Sequence, residues 1–345
     1  MKKLLSIIVA AIMMAGCFCA CASGTENKKE NDNIKIVASI FPEYDWVMNV
    51  LGDNPGNAEV TLLLDNGVDL HSYQPTAEDL LEISDCDLFI YVGGESDEWI
   101  EEVIANANNK DMVTINLMEV LGDKAKEEEL VEGMQEEEHE HDHDHEDGEE
   151  HEEEEEHEHD HEEEAEYDEH VWLSLRNASV FTEEISVKLQ TIDKDHADTY
   201  KANADAYIEK LNNLDKEYEK AVSEAEYKTI LFGDRFPFRY MVDDYGIDYY
   251  AAFIGCSTEN QANFDTILFL SKKVDELSLP CVMTIDSSDK KIAETVVENT
   301  KDKNQKILTI DSMQTTTMKD VEEGKTYLSV MEDNLTVLKE ALSAQ

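Results

Sequence analysis

Basic residues are scarce in this chain: 28 Lys and Arg stand against 81 Asp and Glu, for a formal net charge of −53. Phosphate binding draws on Lys and Arg, so the balance excludes nucleic acid as a natural partner. Proline is rarer still, at 5 in 345 residues, and neither proline nor glycine occurs between residues 177 and 224. Past residue 21 the only cysteines are Cys86, Cys256 and Cys281. They form no CxxC pair and no disulfide framework, and they read as buried small residues, with a Cys256–Cys281 bond left open. After residue 15 no apolar run approaches bilayer-spanning length. GxSxG is absent, and HExxH is absent outside an acidic insert, which weighs against a zinc hydrolase.

What is present begins at the N-terminus. Met1-Lys2-Lys3 is followed by an apolar run over residues 4–15, the length of a signal-peptide core. Met14-Ala15-Gly16-Cys17 resembles a bacterial lipobox, so Cys17 is the expected site of lipidation, with Cys21 as the alternative. Residues 1–21 then form the signal and lipobox region, and the polar residues 22–33 a tether. The expected location is the extracytoplasmic face of a bacterial membrane, held by a lipid anchor.

From residue 34 onward, short Val/Ile/Leu-rich runs alternate with segments of helical periodicity. Strands are expected over 34–42, 59–64, 87–92 and 112–116, and helices over 43–51, 76–84 and 96–106. Thr76 is the expected N-cap of the second helix, with Asp79 completing a capping box. The rhythm resumes at 229–232, 248–252, 281–285 and 307–310, and a helix over 327–342 follows. Strand–helix alternation implies parallel βαβ units. The run from 177 to 224 repeats apolar residues at three- and four-residue steps, as one long helix or two end to end. The expected fold is therefore α/β, with two βαβ lobes (34–175 and 226–345) joined by a long helix (176–225) and a ligand site in the cleft between them.

Residues 127–169 hold 27 acidic side chains and neither Lys nor Arg. Within them His139, His141, His143, His145, His151, His157, His159 and His161 alternate with Asp and Glu. Such a tract, placed at about 127–166, cannot bury a core and is expected to be disordered; its imidazoles offer many weak, exchangeable metal sites. Three histidines lie outside it. His71 follows a strand in a loop, and His170 stands just after the insert in Asp168-Glu169-His170-Val171-Trp172. His196 lies among Asp193, Lys194, Asp195 and Asp198, and reads as a solvated helix residue.

Several blocks resemble one family. Ser39-Ile40-Phe41-Pro42 with Tyr44, Gly67-Val68-Asp69-Leu70-His71-Ser72-Tyr73-Gln74-Pro75-Thr76, Asp85-Cys86-Asp87-Leu88-Phe89-Ile90-Tyr91-Val92-Gly93, and His170-Val171-Trp172-Leu173-Ser174 with Asn177-Ala178 are similar to the metal-binding solute-binding proteins of ABC importers. The resemblance runs with gaps from about residue 34 to the C-terminus. It implies that His71 and His170 are metal ligands and that Asp311, in Ile307-Leu308-Thr309-Ile310-Asp311-Ser312, is another. At the family's remaining ligand position the sequence departs: residues 231–238 contain no His, and Asp234 is the nearest oxygen donor. Two imidazoles with carboxylates suit Zn²⁺, and also Mn²⁺ or Fe²⁺; the His-rich insert favours zinc. The expected protein is a monomeric, non-enzymatic solute-binding protein that delivers zinc to an ABC importer permease and its ATPase. A metal buffer or cell-adhesion protein without a transporter is the alternative, and a zinc hydrolase a more distant one.

Overall fold

Ile34–Ala38 (β1) buries Ile36, Val37 and Ala38 in succession, the continuous apolar run of a strand covered on both faces. The computed structural model describes residues 33–53, 58–135, 166–257 and 261–343. Cys17 and Cys21 and the eight histidines from His139 to His161 lie outside the described residues. β1 pairs in parallel with Ala58–Leu62 (β2) on one side and Leu88–Tyr91 (β3) on the other, and β3 pairs with Val113–Asn116 (β4). The sheet order is β2-β1-β3-β4.

Phe41–Leu51 (α1), Ala77–Asp85 (α2), Trp99–Asn106 (α3) and Leu117–Leu121 (α4) connect or flank these strands. The first strand stops at Ala38 rather than reaching Pro42. Pro42 lies in the first turn of α1, where its missing N–H has no intrahelical partner to lose. At α2 the expected cap is present: Thr76 Oγ1 accepts from Asp79 N at 3.2 Å, and Asp79 Oδ2 accepts from Thr76 N at 2.7 Å.

The Pro- and Gly-free stretch forms two helices, Leu175–Ile192 (α5) and Ala197–Glu224 (α6), that pack against each other instead of running end to end. The turn between them is polar. Asp193 Oδ2 accepts from His196 Nδ1 at 2.6 Å and from Tyr200 OH at 2.7 Å. His196 therefore sits in this turn, not on a helix face, and fixes the reversal. Phe181, Ile185 and Leu189 of α5 and Tyr200, Ala204, Tyr207 and Leu211 of α6 are buried.

The C-terminal half repeats the parallel pattern in pieces. Thr229–Leu231 (β5) pairs with Asp248–Tyr250 (β7), and Arg235–Phe236 (β6) with Phe253–Ile254 (β8). Arg239–Tyr245 (α7) joins β6 to β7, and Phe264–Leu277 (α8) follows β8. Cys281–Ile285 (β9) pairs with Lys306–Ile310 (β10), a bridge from Phe232 to Met283 ties β5's end to β9, and Lys291–Asn299 (α9) links β9 to β10. Met318–Glu322 (α10) and Tyr327–Ala341 (α11) complete the chain. Among the described helices none is long and apolar enough to cross a membrane.

One hydrophobic core runs through both halves and the α5–α6 pair. Polar ties cross it: Tyr218 OH donates to Met331 O at 2.6 Å, Trp172 Nε1 to Ser312 O at 2.9 Å, and Tyr327 OH to Trp172 O at 2.7 Å.

At the start of α1, Glu43 Oε2 accepts from Ser39 N at 2.7 Å and Ile40 N at 3.2 Å, yet the side chain is fully buried. Burial outweighs these bonds and raises its pKa to about 8. The unfolded chain loses this proton near the ordinary value of 4.5, so the contribution of Glu43 to stability declines as pH rises from about 4.5 to about 8. Glu43→Gln has no proton to lose there. In thermal melts its stability relative to the parent is expected to rise steadily from about pH 5 to about pH 8; parallel curves over that window would exclude the linkage.

Candidate metal centre

β2 leads into a loop in which Asp69 caps a short 3₁₀ turn, Leu70–Ser72, by accepting from His71 N at 3.1 Å. This sets the His71 ring against two oxygen groups. Its Nδ1 lies 2.9 Å from Ser96 Oγ and 3.4 Å from Glu169 Oε2. Ser96 and Glu169 are themselves joined, Ser96 N donating to Glu169 Oε1 at 2.9 Å. Gly94 permits that approach. It holds φ +89°, and a Cβ there would stand 2.3 Å from Glu169 Oε1.

His170 enters from the other end of the insert. Asp168 Oδ1 accepts from His170 N at 2.8 Å and from Nδ1 at 3.0 Å, and Tyr240 OH donates to Asp168 O at 2.9 Å. The His170 ring is wholly buried. Gln314 Nε2 donates to His170 Nε2 at 3.2 Å and to Asp69 Oδ1 at 3.2 Å. With Nδ1 committed to Asp168, Nε2 of His170 is the lone-pair nitrogen. It faces His71 Nε2 at 3.1 Å. A proton or a cation is what can join these two atoms.

Electrostatics match that geometry. Burial first, and then the neighbouring His71, lower the His170 pKa to about 3, so its lone pair stays free of a proton far below the usual imidazole range. Burial raises Asp168 to about 7 and Asp97 likewise to about 7. Burial also works to raise Asp69, but the Arg235 guanidinium and His71 outweigh it and hold Asp69 below the ordinary value. The same contest at Glu169 is won by hydrogen bonds from His71 and Ser96.

The structure brings His71 and His170 together, as expected, and adds a residue the sequence reading treated as structural. The Cys256 sulfur and the two imidazole nitrogens all lie within 4.8 Å of one another. Cys256 and Cys281 are free thiols, so no bond joins them. The two expected carboxylates are engaged elsewhere. Asp311 Oδ2 pairs with Lys325 Nζ at 2.8 Å, and its Oδ1 accepts from Met313 N at 2.7 Å. Asp234 accepts from Arg235 N at 3.0 Å and Ile285 N at 3.4 Å. Among the described residues, neither belongs to the group around the histidine pair. Arg235, next along, reaches that neighbourhood instead and forms an ion pair with Asp69.

A cavity of about 270 Å³ opens onto His71 and is lined by it with Ser96, Glu128, Glu166, Glu169 and Cys256 among others. Both ends of the insert frame it. Glu128 N donates to Glu166 O and Asp168 N to Lys126 O, each at 2.8 Å, and Glu127 bridges Tyr167. Residues 127–135, expected within the disordered tract, are held in place: Gln135 N donates to Ala252 O at 2.9 Å, and Met134 packs against the core. The apolar Met134 in that stretch supplies the anchorage that the acidic count concealed.

Comparison with known proteins identifies the family. The profile of the family described as "Zinc-uptake complex component A periplasmic" matches residues 36–341. The zinc-binding lipoprotein AdcA of Streptococcus pneumoniae is 29% identical over 340 residues, 99% of this chain and 61% of that protein; this chain thus spans about three fifths of that relative's length. The high-affinity zinc uptake system protein ZnuA of Bacillus subtilis is 26% identical over 331 residues, 96% of this chain and 94% of that one. The crystal structure of the Zn(II)-bound ZnuA-like domain of S. pneumoniae AdcA superposes with a TM-score of 0.67 at 26% identity, covering 90% of this chain and all of that one. With more than half of its length matched by the family profile, this chain belongs to the zinc-uptake complex component A family.

Proposed function

We propose that this protein captures Zn²⁺ between His71 and His170 on the extracytoplasmic side of the membrane and passes it to an ABC importer permease and its ATPase. The observation that carries the reading is the facing pair of Nε2 atoms, 3.1 Å apart, with each ring's Nδ1 set against oxygen groups. Two nitrogen donors at ~2.05 Å from a tetrahedral zinc stand ~3.3 Å apart, so the pair is pre-spaced for the metal. Orientation of ligating imidazoles by carboxylates through the remote nitrogen is the usual support for such donors. The relatives named for zinc binding and zinc uptake support the choice of cargo.

The remaining parts of the reading follow the chain's organisation. Residues 34–175 form the lobe that carries both histidines, 176–225 the helical connection and 226–345 the opposing lobe, in a monomer. The chain is anchored by lipid on Cys17, with Cys21 as the alternative. The histidines of the insert bind zinc loosely, and its acidic side chains concentrate cations locally.

Three outcomes are expected. Replacing His71 or His170 by Ala removes a donor from a site with few donors, and competitive zinc titration is expected to show at least a tenfold loss of affinity, ~1.4 kcal/mol or more. His196→Ala breaks only the helix turn and leaves zinc affinity unchanged; equal losses in His196→Ala and His71→Ala would overturn the assignment. Deleting residues 136–165 is expected to remove several weak zinc equivalents and leave one tight one, which dialysis with metal analysis would count. Cys17→Ala is expected to end palmitate labelling, whereas labelling that persists would move the anchor to Cys21.

A further inference from the structure

We infer that Cys256 is a metal ligand, contributing a thiolate to the His71–His170 centre and biasing it toward zinc and other thiophilic ions over manganese. The inference rests on the proposed histidine pair and names the third donor that the pair lacks.

Three observations converge on the sulfur. It lies within 4.8 Å of both imidazole nitrogens. On a tetrahedral zinc, with Zn–S ~2.3 Å and Zn–N ~2.05 Å, sulfur and nitrogen stand ~3.6 Å apart, so a metal draws the sulfur in by at most ~1.2 Å, within reach of a side-chain rotation. The loop carrying it is fixed from two sides. Cys256 N donates to Glu128 Oε1 at 3.1 Å, and Arg235 Nη1 donates to Ser257 O at 3.4 Å while its other terminal nitrogen pairs with Asp69. Finally, the residue before it is a glycine pressed on the other ligand. A Cβ on Gly255 would stand 3.0 Å from His170 Cε1 and Nδ1 and 2.9 Å from Phe236 O. Any larger side chain there would push the cysteine loop off the imidazole.

Among the described residues no carboxylate joins both imidazoles and the sulfur in one group; Asp69 Oδ1 lies 4.0 Å from His71 Nε2 but accepts from Gln314 Nε2 and His71 N. Asp311 and Asp234 hold other partners, and Glu128 uses one oxygen on the Cys256 backbone. The thiol also comes from the opposite half of the molecule, at the end of β8, whereas both imidazoles come from the N-terminal half. A metal held by all three therefore spans the two halves. Divalent ions bind a set of two imidazoles and one thiolate according to softness: zinc and cobalt accept sulfur readily, while manganese favours oxygen donors.

Cobalt(II) is the probe. Added at one equivalent to the full chain, it is expected to give a near-ultraviolet thiolate-to-cobalt charge-transfer band in the parent and in Cys281→Ser, and none in Cys256→Ser. Zinc affinity is expected to fall at least tenfold in Cys256→Ser. In Cys256→Asp, a carboxylate replaces the thiolate, and the preference for zinc over manganese in direct competition is expected to narrow at least tenfold. Circular dichroism of the metal-free variants checks that they fold. If the band survives in Cys256→Ser, or if zinc affinity is unchanged there while His71→Ala and His170→Ala lose it, the cysteine is not a ligand and the histidine centre stands. If the two histidine variants also bind zinc normally, the centre itself is misplaced.

Discussion

The Nε2 atoms of His71 and His170 stand 3.1 Å apart inside the protein, and the hydrogen bonds on His170 leave its Nε2 as an acceptor. Holding two electron-rich nitrogens that close requires rigid surroundings. Asp69 caps the turn under His71, Asp168 binds His170 through both its backbone and its ring, and Glu169 and Ser96 flank the remaining nitrogen. The segment 168–174 is in turn bound by distant parts of the chain, through Tyr240 at Asp168 and through Ser312 and Tyr327 at Trp172. Little ordering of these side chains would be left for the proposed zinc binding to accomplish, and preorganisation of this kind favours affinity.

Burial explains the polarity of the pocket. His170, Asp168 and Asp97 are each driven toward their neutral forms by loss of water. The same is true of the Cys256 thiol, whose pKa is raised by burial and then by Glu128, Asp168 and Glu169. A divalent cation at the centre would act in the opposite sense on the carboxyls and the thiol, favouring their charged forms, and in the same sense on His170, whose neutral imidazole is the ligand form.

Much of this was legible in the sequence. The strand–helix alternation gave the parallel sheet, because Val- and Ile-rich runs buried on both faces carry a strong signal. His71 and His170 stood out because only three histidines lie outside the insert. Other features depended on tertiary contacts. Asp311 looks like a free carboxylate in sequence, and only the fold brings Lys325 to it. Cys256, one of three scattered cysteines, carried no spacing signal; its Gly255 neighbour was the one local cue, and that cue has meaning only once His170 is seen against it. The reversal at Asp193–His196 contains neither glycine nor proline, so nothing in the periodicity marked it. The strand expected over 34–42 ends before Pro42 because proline, which stops strands, also opens helices and here lies in the first turn of α1.

The paired stems of the insert have a different kind of consequence. Glu128 N donates to Glu166 O, so the described residues on either side of the insert are tied to each other. A loop fastened at its own base transmits no tension to the rest of the chain, whatever its contour. Its closure entropy grows only with the logarithm of its length, ~0.6 kcal/mol for each doubling. Changes in the length or composition of the histidine tract therefore cost the fold to which it is attached little.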